Sequence, residues 1–519
     1  MNTRLFQRRI SASWLLPLLM LSALPAVAQF SFTTNTDNTL TVTGYVGPDG
    51  AVAIPGMTNG LTVTSIGPWA FSANTNLAIA TIPGSVKNIG KGAFCWCTSL
   101  TNIAIPDGVT NIGDQAFYCC RRLSGIRIPG SVRNIGEIAF LGCTVLTEAT
   151  IGDGVSQIGQ MAFCQCNGLT NVLIPASVTS LGEEAFFDCA DLTSVTIGAL
   201  TVGEVAFDHC TSLTNIIISN SVTCIGQDAF AGCLKLTSIA IPASVTNLNG
   251  GVGWFFADCT SLAEIEVDPL NSVYCSVEGV LYSRDRTALL RCPSARVGIY
   301  SIPDNVNTIE SGAFESCRGL TNVTIPNGVS VVESHTFYQC AALTRVRIPD
   351  SVTNIEYEAF CGCIGLTSVT IPAGVVAIGY GSFGECSNLT AAYFTGDRPE
   401  FPSIGETSWL AFGADDNATV YYLPGTWGWS PPYQTPGVPV VLWNPQALSS
   451  DPSFGVLTNG FGFTITGTTN IPIVVEACTD LANSAWSPLQ TCTLTNGSLY
   501  FSDPQWTNYP ARFYRFRSP

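Results

Sequence analysis

Twenty-one cysteines, two histidines and 37 acidic residues are the side chains of this 519-residue chain with the reactivity for metal binding, thiol exchange or nucleophilic catalysis. Their spacing decides among those chemistries. Cys95, Cys97, Cys119 and Cys120 fall close together, and Cys164-x-Cys166 and Cys361-x-Cys363 repeat the first spacing, but the paired C-x-x-C knuckle that tetrahedral zinc sites use does not occur. No metal is expected. His209 and His335 lie far apart, neither beside a G-x-S-x-G elbow nor a glycine-rich phosphate loop. The sequence therefore assigns no catalytic residue and no cofactor. Glu310, Glu333 and Glu356 recur at a fixed interval and read as a solvated column rather than a cation site.

The cysteines obey a different rule. Twelve of them, beginning Cys97, Cys120 and Cys143 and ending at Cys386, sit three residues after a phenylalanine. Those phenylalanines recur at Phe71, Phe94, Phe117, Phe140, Phe163, Phe186, Phe207, Phe230 and Phe256, then at Phe314, Phe337, Phe360 and Phe383, mostly 23 residues apart. A fixed period of this size marks a solenoid, whose short unit buries its apolar face only by stacking on its neighbours. A leucine column (Leu100, Leu123, Leu146) is followed at +3 and +5 by aliphatics, the inward half of a period-2 strand. Proline commonly ends that strand, as at Pro106 and Pro129. A second apolar pair follows (Val109, Ile112), then a glycine (Gly113) and an Ala-Phe couple expected to form one helical or 3₁₀ turn. Because Glu310, Glu333 and Glu356 replace that glycine in three units, the position does not demand a positive φ. The expected fold is mainly β, a solenoid of parallel coils.

The unit I-P-x-x-V-x-x-I-G-x-x-A-F-x-x-C-x-x-L-T-x-V, in thirteen tandem copies over roughly residues 60 to 395, resembles the BspA-like leucine-rich repeats of bacterial surface proteins. The resemblance implies adhesion or protein binding and brings no catalytic residues, since repeat solenoids host many partners.

The flanks extend this picture. Residues 1–28 read as a secretory signal, with Arg4, Arg8 and Arg9 before the apolar run Trp14 to Leu24 and an Ala26-Val27-Ala28 cleavage site. The apolar run is too short to span a bilayer comfortably, and no later segment is apolar enough, so a secreted or cell-surface chain without a transmembrane segment is expected. The formal charge of −16 falls to about −19 without the three signal arginines, which argues against nucleic acid and anionic lipid. Lys87, Lys91, Arg121, Arg122, Arg127 and Arg133 read as scattered solubilising charge. Residues 29–60 suit an N-terminal β cap, 61–395 the solenoid with a β-hairpin inserted at about 264–306, and 396–446 a cap and Pro/Gly-rich junction. Residues 447–519 read as a small antiparallel β-sandwich-like domain.

Coils stacked about 4.8 Å apart hold equivalent Cβ vectors parallel, whereas a disulfide needs Cβ atoms converging to about 3.8 Å, so the cysteine column is expected to be a ladder of free, buried thiols. Outside it, Cys478 with Cys492 and Cys275 with Cys292 are the candidate disulfides. Binding is expected on the outward strand positions, which include Thr81, Ala104, Arg127, Leu173, Ile217, Glu266, Arg347 and Tyr393. The threonines after each leucine read as a structural hydroxyl ladder. Arg127, Arg345, Arg347 and Tyr393 break the small-polar pattern and are the candidate anchors for an extracellular protein or polymer ligand. The alternative is carbohydrate binding through the C-terminal aromatics, where five of the ten tryptophans lie between Trp427 and Trp506.

Overall fold

The structure, a computed structural model, describes residues 29–248, 255–401, 411–412, 418–429, 438–457, 460–481 and 485–517. The signal segment 1–28 lies outside them, as do parts of the junction before residue 447. Each coil is built on three sides. A long strand such as Gly125–Ile128 alternates buried and exposed residues, with Ile126 and Ile128 inward and Arg127 outward. Val132 then turns back on the Pro129 carbonyl (3.1 Å), and a two-residue strand, Asn134–Ile135, makes the second side. Both strands pair in parallel and in register with their equivalents one coil away, as in Arg127 with Thr150 and Ile135 with Ile158. The short strands join one continuous sheet that begins with the antiparallel hairpin Phe30–Thr34/Leu40–Tyr45 and proceeds through Leu61–Ile66 to Asn247–Leu248.

The third side carries the phenylalanine and is not the helical or 3₁₀ turn expected from Ala-Phe. Among the described residues, those two before and two after the repeat phenylalanines take left-handed backbone, as Gln115 (φ 56) and Cys119 (φ 57) do around Phe117. A helical turn would return all its N–H groups to its own coil. Here only alternate ones do so, Ala116 to Gly113 (3.2 Å) and Tyr118 to Gln115 (3.1 Å), while Gln115, Phe117 and Cys119 donate to Glu137, Ala139 and Leu141 of the next coil, each at 2.8 Å, so this side is a third intercoil ladder. Glutamine, cysteine, histidine and aspartate accept the left-handed positions because the ladder bonds outweigh a strain of about 1–2 kcal/mol each.

Stacking fills the interior. From Phe71 to Phe256 successive rings lie 5.0 to 6.3 Å apart and within 10° of parallel. A second stack runs from Phe314 through Phe383 and is closed by Phe412, which belongs to no full sequence repeat. Each ring is worth about 1.5–3 kcal/mol of burial. The cysteine beside it completes the polar side of the coil: Cys143 Sγ donates to the Phe117 carbonyl at 3.3 Å, and that oxygen also accepts the Cys120 N–H at 3.1 Å. The glycine column answers to a close approach, not to φ. A Cβ on Gly136 would stand 2.4 Å from the Asp114 nitrogen of the preceding coil.

All 21 cysteines are free, and the structure corrects both candidate disulfides. Cys492 faces Ile473 across its hairpin, while Cys478 lies five residues further along that strand, about 17 Å away at 3.3–3.4 Å per residue. Cys275 turns its Sγ to the Ser283 carbonyl (3.2 Å), and Cys292 enters the core beneath Cys317, whose Sγ lies 3.8 Å from the Cys292 oxygen.

The inserted segment replaces a coil rather than decorating one. Tyr274–Val277 and Val280–Ser283 form a hairpin, but Ala288–Arg291 pairs in parallel with Thr308–Ile309 and Val297–Ser301 with Gly319–Thr324. Residues 289 to 299 cover in 10 steps what 112 to 125 cover in 13, so this coil has no phenylalanine turn and the core divides into two clusters here. Arg291 spans the gap with its side chain fully buried. It donates to the carbonyls of Gly312 (2.6 Å), Phe256 (2.9 Å) and Glu315 (3.2 Å) and to Ser294 Oγ (3.0 Å).

Beyond Phe383 the long-strand sheet continues through Ala391–Phe394, Thr419–Tyr422 and Val440–Leu442, all parallel. The C-terminal residues then form two antiparallel sheets, centred on Gly460–Thr466 and Pro472–Cys478. Their core of Phe463, Ile465, Ile473, Val475 and Phe501 is packed by Tyr421, Val441 and Trp443 from the solenoid end, where Trp443 Nε1 donates to the Pro472 carbonyl at 3.0 Å.

Candidate binding face

The long-strand sheet presents one side chain in two to the outside, and the inward ones are buried in most coils, as Ile126 and Ile128 are. Its backbone groups are bonded along the ladder, so what varies from coil to coil is the chemistry of the outward side chains. The threonine column preceding each strand is structural: Thr101, Thr147, Thr193 and Thr344 Oγ1 each donate to a carbonyl of the preceding coil at 2.9 to 3.0 Å. Amides do similar work on the short-strand side, where Asn111 donates to Asn88 Oδ1 at 2.8 Å. Neither column is free to read a partner.

The four candidate anchors fall into different environments. Arg127 is exposed on its strand but held by Asp107 at 3.0 Å. Arg345 and Arg347 flank buried Val346 on one strand, both exposed and with no ion-pair partner among the described residues. Tyr393 is corrected. Its ring is 3% exposed because Tyr421, one strand further on, stacks over it at 5.0 Å and Trp443 closes edge-on at 6.2 Å. Burial pushes its phenol pKa up. Tyr421 and Trp443 lie outside the repeat, in the residues read as a cap and junction, which is why an interior aromatic read as an anchor.

Three apolar side chains that sequence reasoning did not single out as anchors, Ile79, Leu173 and Ile217, stand exposed on the same face, joined by Val297 and Ile299 on the irregular coil. The remaining basic residues do not gather there. Lys91 pairs with Asp114 at 3.7 Å beside the short-strand sheet, and Arg121 lies over Trp96 on the phenylalanine turn. The histidines are turn residues, His209 with Asp208 at 2.7 Å and His335 with Glu358 at 3.3 Å. Arg291, fully buried in an apolar run, was the site that sequence reading missed; the missing phenylalanine between Phe256 and Phe314 was its only signal.

Near the C-terminus the tryptophans divide. Trp429 packs on Phe394 and Tyr422, Trp443 seals the interface, Arg515 covers Trp486, and Trp427 is exposed. A cleft of about 360 Å³ opens beside Phe454, Phe461, Phe513 and Tyr514.

Stacked parallel coils with a leucine column and an outward strand face define a leucine-rich-repeat solenoid, a scaffold of the protein-binding kind. The chain belongs to the BspA-type leucine-rich-repeat family: the BspA type leucine rich repeat region, six copies long, matches residues 64–193, 189–276 and 295–407. Among solved structures it is similar to a leucine rich cell surface protein from Faecalibacterium prausnitzii A2-165, with 30% identity over 76% of this chain and 93% of that one and a TM-score of 0.55. It is also similar to a leucine-rich repeat protein from Bacteroides ovatus ATCC 8483, with 28% identity over 76% of this chain and 98% of that one and a TM-score of 0.53. No curated protein matches the chain. Among the described residues no helix is long and apolar enough to cross a membrane.

Proposed function

We propose that this chain is an exported or cell-surface, noncatalytic recognition protein that binds a protein or polymer partner through the outward face of the long-strand sheet, in the service of adhesion. The observation that carries this reading is the division of labour in each strand. Inward residues and the threonine ladder account for stability, while Ile79, Leu173, Ile217, Arg345 and Arg347 occupy positions for which the scaffold needs no particular side chain. A broad face of low charge suits a macromolecule better than a small ligand, which wants a pocket. Export is supported by the signal-like segment 1–28 and by the cell-surface description of the F. prausnitzii relative.

A second reading, glycan binding by the C-terminal aromatics, draws on exposed Trp427 and the aromatic cleft near Phe461. The test is capture of host proteins and polysaccharides by the chain from Gln29 onward. Binding that falls at least about tenfold in Leu173→Asp with Arg127→Ala supports the solenoid face. Glycan binding lost only in Trp427→Ala or Phe461→Ala transfers the function to the C-terminal aromatics.

A further inference from the structure

Five positions along the outward face form a self-complementary set. On the strand Glu264–Val267, Glu264 and Glu266 are exposed on either side of buried Ile265, with no ion pair to either among the described residues. Further along, Arg345 and Arg347 present the opposite charge with the same geometry. Both pairs start two residues after a buried leucine, Leu262 and Leu343, so they occupy the same two columns of the face. Alternate residues of a strand stand about 6.6 Å apart, which sets both pairs at one spacing.

Midway between them runs Val297–Ser301. Alternation along this strand leaves Val297 73% and Ile299 71% exposed, more than any other large apolar residue of the long-strand sheet, and the register shift beside it sets the extra residue, Thr321, on the neighbouring strand. Register places Ile299 beside Asn322 and then Arg345, and Ser301 beside Thr324 and then Arg347, so one strand separates this apolar centre from the arginines. On the other side the hairpin turn intervenes: the Gly279 carbonyl accepts the Ile265 N–H at 3.0 Å, in the place of a neighbouring strand. Glu278 on that turn is held by Arg296 at 3.2 Å. The order along the face is acid pair, spacer, apolar centre, spacer, basic pair.

We propose that the partner of this part of the face is a second copy of the chain, docked about a two-fold axis that runs parallel to the strands at Val297–Ser301; the proposal rests on the reading of the outward face as the binding surface. Such a rotation reverses the order of the coils and keeps the strand direction. Val297 and Ile299 then meet their own copies, while Glu264 faces the partner's Arg345 and Glu266 faces the partner's Arg347, twice over. A two-fold along the solenoid axis would instead set arginine on arginine. Matched acid and base placed symmetrically about an exposed apolar centre is the pattern an isologous contact requires. The general repulsion between copies of charge about −19 is screened beyond about 8–10 Å, which leaves local complementarity to decide. Five positions about 4.8 Å apart and four residues wide cover roughly 300 Å² per copy, well under the usual 800 Å², so the dimer is weak, with a Kd on the order of 100 μM.

The experiment is sedimentation equilibrium of the chain from Gln29 onward, from about 1 to 500 μM, at low and high salt. The expected result is a monomer–dimer equilibrium weakened about tenfold by salt. E264R/E266R alone and R345E/R347E alone should each raise the Kd about 100-fold, and all four together should restore it. V297D/I299D should abolish the dimer with an unchanged circular dichroism spectrum. A monomer at every low-salt concentration overturns the proposal, as does a fourfold variant no better than its halves. If the chain is monomeric and Leu173→Asp still lowers partner capture, the outward-face reading survives and only the self-pairing is rejected; if Leu173→Asp has no effect either, both fall.

Discussion

Arg291 Nη1 and Glu315 Oε2 meet at 3.4 Å, with neither side chain more than 5% exposed, at the point where the phenylalanine stack breaks between Phe256 and Phe314. In a regular coil the phenylalanine carbonyl accepts a thiol from the next coil, and the carbonyl after the next phenylalanine accepts a backbone N–H. Here one guanidinium group serves both, reaching Phe256 O and Glu315 O. Burial raises the Glu315 pKa more than Arg291 lowers it, so the carboxylate is the lesser part of this joint and the carbonyls the greater.

Arg291→Met is accordingly expected to cost about 3–5 kcal/mol, because it strands a buried carboxylate and removes donors from three carbonyls. Glu315→Gln should cost about 1 kcal/mol. Urea unfolding compares them, and equal losses would show that the ion pair, not the carbonyl splice, joins the two halves.

The thiol ladder should be silent in the folded protein. Burial pushes the thiols of Cys97 and Cys164 up to about 12, so thiolate is scarce at pH 8. Cys224 and Cys492, the two cysteines not fully buried, are expected to react with a thiol reagent under native conditions and the other nineteen only after denaturation without reductant. Rapid native labelling of many more would contradict the packing described.

Gly136→Ala and Gly125→Ala make a controlled pair. The first sets a methyl 2.4 Å from the Asp114 nitrogen, the second only 3.9 Å from the nearest atom, the Glu148 carbonyl oxygen. Thermal melts should show about 1–3 kcal/mol lost for Gly136→Ala and little change for Gly125→Ala. Equal effects would mean that the glycine column is not set by coil spacing.

Acidification has a predictable sign at His335. Burial holds its pKa below the usual 6.5 despite Glu358, so the unfolded chain takes up the proton first. Stability is therefore expected to be complete above pH 6.5 and to decline as pH falls from there toward the folded value. Urea midpoints at pH 7.0 and 5.5 test this, since His335→Asn should flatten the difference. Asp208, whose carboxyl is raised by burial, contributes with the opposite sign at lower pH, gaining stability as it protonates.

The amino-acid order alone determined the coil. A 23-residue period, an inward aliphatic pair and one phenylalanine per unit leave stacking as the only way to bury the apolar side, so solenoid, columns and outward strand positions were all legible. Tertiary structure decided what local pattern does not encode. Whether Phe117 sits on a helical turn or on a left-handed ladder depends on which coil accepts its N–H, a partner 22 residues away at Ala139. Tyr393 was misread because burial at the end of a sheet is set by the strand that lands on it, Thr419–Tyr422, which lies outside the repeat. Cys478 and Cys492 looked paired in sequence and are separated by hairpin register. Arg291 is polar in isolation and belongs in the core only because a shortened coil leaves the Phe256 and Glu315 carbonyls without the thiol and the N–H that a regular neighbouring coil donates. Periodic contacts repeat a local rule and can be read from one unit; contacts at an interruption join residues that no single unit contains.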